Sequence, residues 1–178
     1  MILILIKYFN ILLHKIKIKN TRFSYLGKNV QIFQGFEFGH AKNLKIEDNV
    51  VIGEKSFINA HGDVLIKSGT ITGPELMIFS VNHIYENSDT IPFSNDLSFK
   101  KVIIGNNCWI GGRVFICPGV ELGDGCIVAG GSVVTKSFPP LSIIGGNPAN
   151  IIKMRNENDY VKMCESKVYC DFITRNIK

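Results

Sequence analysis

The feature that most constrains this chain is a period of six. From Ile104 an aliphatic residue recurs at every sixth position: Ile104, Ile110, Ile116, Leu122, Val128 and Val134. The next position is usually small, as at Gly105, Gly111, Cys117, Gly123, Ala129 and Thr135. Four residues beyond each aliphatic stands another compact side chain: Cys108, Val114, Val120, Cys126 and Ser132. Neither a helix nor an ordinary strand repeats at six. Short flat strands joined by tight turns do. In such a coil the aliphatics point inward and stack on their equivalents one turn away, and backbone groups pair with the neighbouring coils at about 4.8 Å. A single hexad cannot bury its aliphatic alone, so the repeats must stack to be stable.

The same period runs less cleanly upstream. Ile32 and Phe38 are six apart, as are Ile46, Ile52 and Ile58; Ile66, Thr72 and Ile78 follow after a slip of two residues. Between 80 and 101 the pattern lapses into a polar stretch holding Asn82, His83, Asn87, Pro92 and Asn95, which reads as an excursion from the coil. Long irregular segments inside compact domains are often functional. The coil resumes at Val102, is interrupted at Ser137-Phe138-Pro139-Pro140 because proline cannot donate to a strand ladder, and closes over 144–149. The expected organisation is an amphipathic helix over 1–20, a coil domain over 21–155 with its loop at 80–101, and a C-terminal helix over 156–178. Asn158 or Asp159 is placed to cap the last helix, with Tyr160, Met163, Cys164, Val168 and Phe172 on one face.

The N-terminal run MILILIKYFNILLHKIKIKN breaks its apolar stretch at Lys7 and lacks a small-residue cleavage site, which fits neither a signal peptide nor a membrane span. On a helix, Ile2, Leu5, Ile6, Phe9, Leu12, Leu13 and Ile16 share a face, with Lys7, Lys15 and Lys19 mostly elsewhere. Such a helix packs on its own protein or a sister subunit, the commoner use of an apolar stripe, or rests on an anionic membrane surface. With 46% hydrophobic and 20% charged residues, the 178-residue chain has a globular composition. Its net charge of +5 suits an anionic ligand but comes with no nucleic-acid-binding motif. Five cysteines without CxxC pairs argue for reduced thiols in the cytoplasm, and the eighteen-residue spacing of Cys108 and Cys126 places them at one inward position on successive coils.

The stretch 103–153 carries IIGNNCWIGGRVFICPGVELGDGCIVAGGSVVTKSFPP and GGNPANIIK, with W-I-G, C-P-G-V, V-V-T-K and G-N-P-A in that order. It resembles the hexapeptide-repeat acyltransferases, in particular the maltose and galactoside O-acetyltransferases and the polysaccharide O-acetyltransferases. The resemblance reaches back to about Asn43. It implies an all-β fold, a left-handed parallel β-helix of hexapeptide repeats with a protruding loop and short terminal helices. It also implies a homotrimer with active sites between subunits, acetyl-CoA as co-substrate and no required metal. His83 matches the family's catalytic histidine. A hydroxyl is a poor nucleophile until its proton is removed, and an imidazole, with an ordinary pKa of about 6.5, suits that task. Asn59 matches the acceptor-binding asparagine, and Asp63 is a second acceptor candidate; this segment is about one hexad shorter than in the galactoside enzymes.

For the cofactor, the resemblance implies that Gly112 and Gly130 lie along the pantetheine arm, where a backbone amide can also stabilise an oxyanion. Trp109 flanks the site, Thr135 and Lys136 contact the cofactor, and Lys153 lies near the nucleotide phosphates. A second basic residue that the family places near Asn150 is absent, which leaves Arg155 as the nearby candidate to replace it. The implied reaction is acetyl transfer to a sugar hydroxyl, in a bacterial surface polysaccharide such as an O-antigen or capsule, or in its precursor. The expected location is the cytoplasm, with the inner face of the membrane as a variant. Alternatives are N-acetylation of an amino sugar, a non-catalytic scaffold coil, and a zinc enzyme of the γ-carbonic-anhydrase kind, which needs three histidines on one metal.

Overall fold

The computed structural model describes residues 2–169, with side chains from residue 8 onward. The chain winds into a parallel β-helix with three faces. The first face stacks Tyr25–Leu26, Leu44–Ile46, Val64–Ile66, Val102–Ile104 and Glu121–Leu122. The second stacks Gln31–Ile32, Val51–Ile52, Ile71–Thr72, Trp109–Ile110, Ile127–Val128 and Ser142–Gly146. The third stacks Glu37–Gly39, Phe57–Asn59, Met77–Phe79, Phe115–Ile116 and Val133–Val134. Two or three residues suffice for each strand, because each one hydrogen-bonds to the coils above and below rather than to its chain neighbours.

The six-residue rows are the core. Ile46, Ile66, Ile104 and Leu122 line the first face, Ile52, Ile110, Val128 and Ile144 the second, and Ile58, Ile78, Ile116 and Val134 the third; all are buried. Burying each such side chain is worth about 1.5–3 kcal/mol. Thr72 is the polar member of its row, and its hydroxyl accepts the Gly53 amide at 3.0 Å, so the interior gains no orphan group. Cys108 and Cys126 do stack inward as free thiols, donating to the carbonyls of Gly123 at 3.3 Å and Pro139 at 3.2 Å. Burial pushes the Cys108 thiol up to about 12 and raises that of Cys126.

Register explains the irregular spacing upstream. The later coils pair residues eighteen apart, as in Ile103 with Glu121, whereas the early coils pair Tyr25 with Lys45 and Leu44 with Val64, twenty apart. The two additional residues sit at the corner that leaves the third face, first in the 3-10 turn Ala41–Asn43 and then around 60–63. At the same corner of the third coil the chain departs over 80–101 before Val102 pairs with Val64. This segment is not irregular throughout: Val81–His83 and Leu97–Phe99 form an antiparallel hairpin. The prolines after Val134 do not break the stack either, since Phe138 fills the inward slot and bridges to Leu122.

Helices close both ends. α1, Ile2–Asn20, lies across the first coil through His14, whose ring Nε2 bonds the Ile32 carbonyl at 2.7 Å and whose edge meets Phe36, and through Ile18. Lys17 donates to the Phe36 carbonyl and holds its ammonium over that ring. Of the apolar stripe, Phe9, Leu12, Leu13 and Ile16 are exposed rather than packed on the coil, and the side chains of Ile2, Leu5 and Ile6 lie outside the described residues. The exposed end of the coil needs backbone partners, and a histidine and a lysine supply them where aliphatics cannot.

At the other end Ser142–Gly146 turns back as the antiparallel strand Ala149–Met154 and leads into α2, Glu157–Ser166. Its cap is Asn156, two residues before the earliest expected, with its side chain accepting the Asp159 amide at 3.0 Å. Of the expected helical face, Tyr160, Met163 and Cys164 are on α2 and Val168 follows its end, while Phe172 and the rest of 170–178 lie outside the described residues.

Replacing Ile52 by Ala should lower stability by about 2–5 kcal/mol, whereas Glu121→Ala on an outward position should change it by less than about 0.5 kcal/mol. Denaturant unfolding of both variants distinguishes an inward row from a tolerant coil. Iodoacetamide at neutral pH should modify the exposed Cys164 and leave Cys108 and Cys126 untouched until denaturant is added, as read by peptide mass mapping.

Candidate functional site

The corner leaving the third face gathers most of the polar candidates, one coil above another. His40 and His61 stack with ring centroids 3.7 Å apart and 4° between planes, and His61 meets the edge of Phe99 at 4.7 Å. The Asn43 side-chain amide donates to the His61 carbonyl at 3.0 Å, joining the two corners. The Asn59 side-chain oxygen accepts the His61 amide at 3.2 Å. Asp63 occupies the turn at φ 70° and is exposed.

The root of the hairpin is pinned to this corner. Ser80 accepts the Gly62 amide at 2.8 Å through its hydroxyl, which in turn donates to the Asn59 carbonyl at 3.0 Å. The Lys100 amide bonds the Ser80 carbonyl at 2.9 Å, and Gly119 from the next coil bonds the Lys100 carbonyl at 3.2 Å. Gly62 is required here, because a Cβ at that position would stand 2.2 Å from the Ser80 carbonyl oxygen.

His83 ends the outgoing strand of the hairpin. Its backbone pairs with Leu97 and its amide donates to the Asn82 side-chain oxygen at 2.9 Å. The imidazole is exposed and stacks on Phe93, centroid to centroid 3.7 Å. It lines a cavity of about 330 Å³ together with Tyr85, Glu86, Lys100 and the Cys117-Pro118 corner of the next coil. The aromatic platform restricts the ring plane beside the cavity, and a held imidazole is what a base needs. Burial raises the Cys117 thiol above its ordinary value. Asn59 and Asp63 do not line this cavity.

The remaining candidates divide between two places. Thr135 and Lys136 are exposed at the same corner as His83, further along the coil, and the Lys136 ammonium donates to Asn150 at 3.2 Å. Trp109 stands on the second face between Ile71 and Ile127, 59% exposed. Gly112 and Gly130 form the corner between the second and third faces, with the Gly131 amide bonded to the Gly112 carbonyl at 2.9 Å. Beside them, a Cβ on Gly111 would meet the Gly130 amide nitrogen at 2.5 Å, so the backbone there is bare by necessity. Lys153 is exposed opposite Ile143 on the terminal hairpin. Arg155 donates to the Gly125 carbonyl at 3.1 Å and lies over the Tyr160 ring, joining α2 to the coil.

One chain therefore does not bring His83 and Trp109 to one place: His83 is on the hairpin at the corner leaving the third face and Trp109 is on the second face. Among the described residues no three His, Cys, Asp or Glu side chains gather as a metal site, and the stacked His40 and His61 serve each other. Phe93, Lys100 and Cys117 join the site without a site motif in the sequence. Only Cys117 left a mark, inside the C-P-G-V run; the other two reach the site through a hairpin pairing that no periodicity announces.

Residues 101–136 match the family described as hexapeptide repeat of succinyl-transferase. The match falls on the later coils of the stack, where the six-residue period is cleanest. It is similar to a protein named probable macrolide acetyltransferase from Lysinibacillus sphaericus, with 38% identity over 104 residues, 51% of this chain and 58% of the relative. It is similar also to the galactoside O-acetyltransferase of Escherichia coli K12, with 28% identity over 77% of this chain and 66% of the relative. The chain thus spans between about three fifths and two thirds of the length of these curated relatives. Among solved structures, the hexapeptide-repeat acetyltransferase of Vibrio cholerae O1 biovar eltor, complexed with acetyl coenzyme A, superimposes with a TM-score of 0.73 at 25% identity, over 81% of this chain and 78% of that one. The likeness lies in the coil, the left-handed parallel β-helix expected from the sequence.

Proposed function

We propose that this hexapeptide-repeat protein transfers an acetyl group from acetyl-CoA to a hydroxyl, with His83 as general base. The observation that carries the reading is the His83 imidazole, exposed in a cavity and held flat on Phe93 by a hairpin pinned to the coil. Support for the donor comes from the acetyl-CoA complex of the similar Vibrio cholerae protein and from the exposed Lys136 and Lys153, cations suited to nucleotide phosphates.

In this mechanism an imidazole nitrogen of His83 takes the acceptor's proton as its oxygen attacks the thioester carbonyl. The tetrahedral intermediate places its negative charge on the former carbonyl oxygen, for which a backbone amide of the Gly112–Gly130 corner is the proposed donor. Collapse breaks the carbon–sulfur bond, and the imidazolium returns its proton to the departing thiolate. Asn59 and Asp63 are the proposed acceptor contacts; Trp109, Thr135 and Lys136 are proposed along the cofactor.

The proposed assembly is a homotrimer. His83, Thr135 and Lys136 stand on one corner, while Trp109, Gly112 and Gly130 stand on another face and corner, and packing one subunit's corner beside its neighbour's face is the arrangement that joins the two sets. The proposed acceptor is a sugar hydroxyl in a surface polysaccharide or its precursor. Free Cys108, Cys117, Cys126 and Cys164 suit a reducing, cytoplasmic setting.

Incubating the protein with labelled acetyl-CoA and a panel of sugars, amino sugars, lipid-linked oligosaccharides and polysaccharides should place the label on an ester. Label in an amide instead would make the enzyme an N-acetyltransferase. His83→Ala should lower kcat by about 10²–10⁴-fold with the trimer intact by light scattering; retained activity overturns the base assignment. Lys136→Ala should raise KM for acetyl-CoA by about ten-fold and leave kcat nearly unchanged, because a phosphate-binding cation holds the ground state and the transition state equally.

A further inference from the structure

Helix α1 turns two faces in opposite directions. His14 and Ile18, with the half-buried Ile11 on the same side, lie toward the first coil. At about 100° of rotation per residue, Phe9, Leu12, Leu13 and Ile16 fall on the far side. They are 59, 54, 47 and 44% exposed, an apolar face aimed away from the end of the coil. Solvent-facing apolar residues grouped in this way mark an interaction surface.

The charge around this face identifies the occupant. Residues 1–22 contain Lys7, Lys15, Lys17, Lys19 and Arg22 and not one Asp or Glu. Lys15 and Lys19 are exposed and border one edge of the apolar face. Pairing this helix with α1 of a second copy would crowd basic residues from both without a carboxylate on either helix. An anionic surface gains from the same charges. No helix among the described residues is long and apolar enough to cross a membrane, so the helix can lie on a bilayer but not span one.

We infer that α1 is a membrane-surface helix: Phe9, Leu12, Leu13 and Ile16 enter the boundary between headgroups and acyl chains of an anionic bilayer, and Lys15 and Lys19 hold to lipid phosphates. Because His14, Lys17 and Ile18 fasten the opposite side of the helix to the first coil, the coil stands with its N-terminal end against the membrane. The inference needs no acetyl transfer and stands or falls separately from it.

The test is co-sedimentation of the full-length protein with phosphatidylcholine vesicles, with and without phosphatidylglycerol. The protein should bind the anionic vesicles, and added salt should weaken the binding. A lysine near an anionic surface is worth roughly five-fold in binding, so Lys15→Glu with Lys19→Glu should reduce it by about ten-fold or more. Leu12→Ser with Ile16→Ser should abolish it, with helix content checked by circular dichroism. Binding that ignores phosphatidylglycerol, absence of binding, or survival of binding in both double variants overturns the inference. So does concentration-dependent self-association, abolished in Leu12→Ser with Ile16→Ser, in protein that does not bind vesicles.

Discussion

A parallel coil holds only where each inward side chain finds its equivalent one turn above and one turn below. The Ile46, Ile66 and Ile104 row shows the constraint, since all three are paired in register although twenty residues separate the first two and thirty-eight the next. Residues can be added without cost to the rows only at a corner, outside the ladders. Both two-residue additions and the long excursion use the same corner. The site stands there for that reason: it is where the coil tolerates added chain.

Once added, that chain has to be held. Ser80, Gly62 and Lys100 tie the root of the hairpin to the coil through the Ser80 hydroxyl and backbone bonds, and Phe93 and Phe99 fold back as ring contacts for His83 and His61. The result is an imidazole outside the core with a fixed plane. The thiols inside the coil illustrate the opposite environment, where burial holds Cys108 in its neutral form. The proposed chemistry uses the corner while the rows carry the stability, so substitutions in one need not disturb the other.

Much of this was legible in advance. The hexads from Ile104 to Val134 marked the inward rows residue by residue, because a six-residue period has one physical solution with a buried face. The slip of two residues after Ile58 was visible as well, though not its meaning as a larger corner. The motif context singles out His83, which the structure places beside a cavity. The hairpin strands beside it were not legible, since three-residue strands with mixed polarity leave no pattern. The N-terminal helix is present as expected, and of the uses open to its apolar stripe, packing on its own coil is not the one its described residues take. Apolar periodicity located Phe9, Leu12, Leu13 and Ile16, while the coil end demanded hydrogen bonds, which His14 and Lys17 provide. Likewise α2 is capped by Asn156 rather than Asn158 or Asp159, because the cap follows from where the preceding strand releases the chain.

The sequence alone determined the coil, its inward rows, the two terminal helices and the point at which the chain leaves the stack, since all of these follow from periodicity and from breaks in it. Contacts across the fold settle what the excursion becomes, which aromatic stacks on His83, and that Arg155 touches α2. They also settle that the residues matched to one active site stand apart within a single chain. Those outcomes depend on contacts between residues far apart in sequence, and a period reports only what repeats.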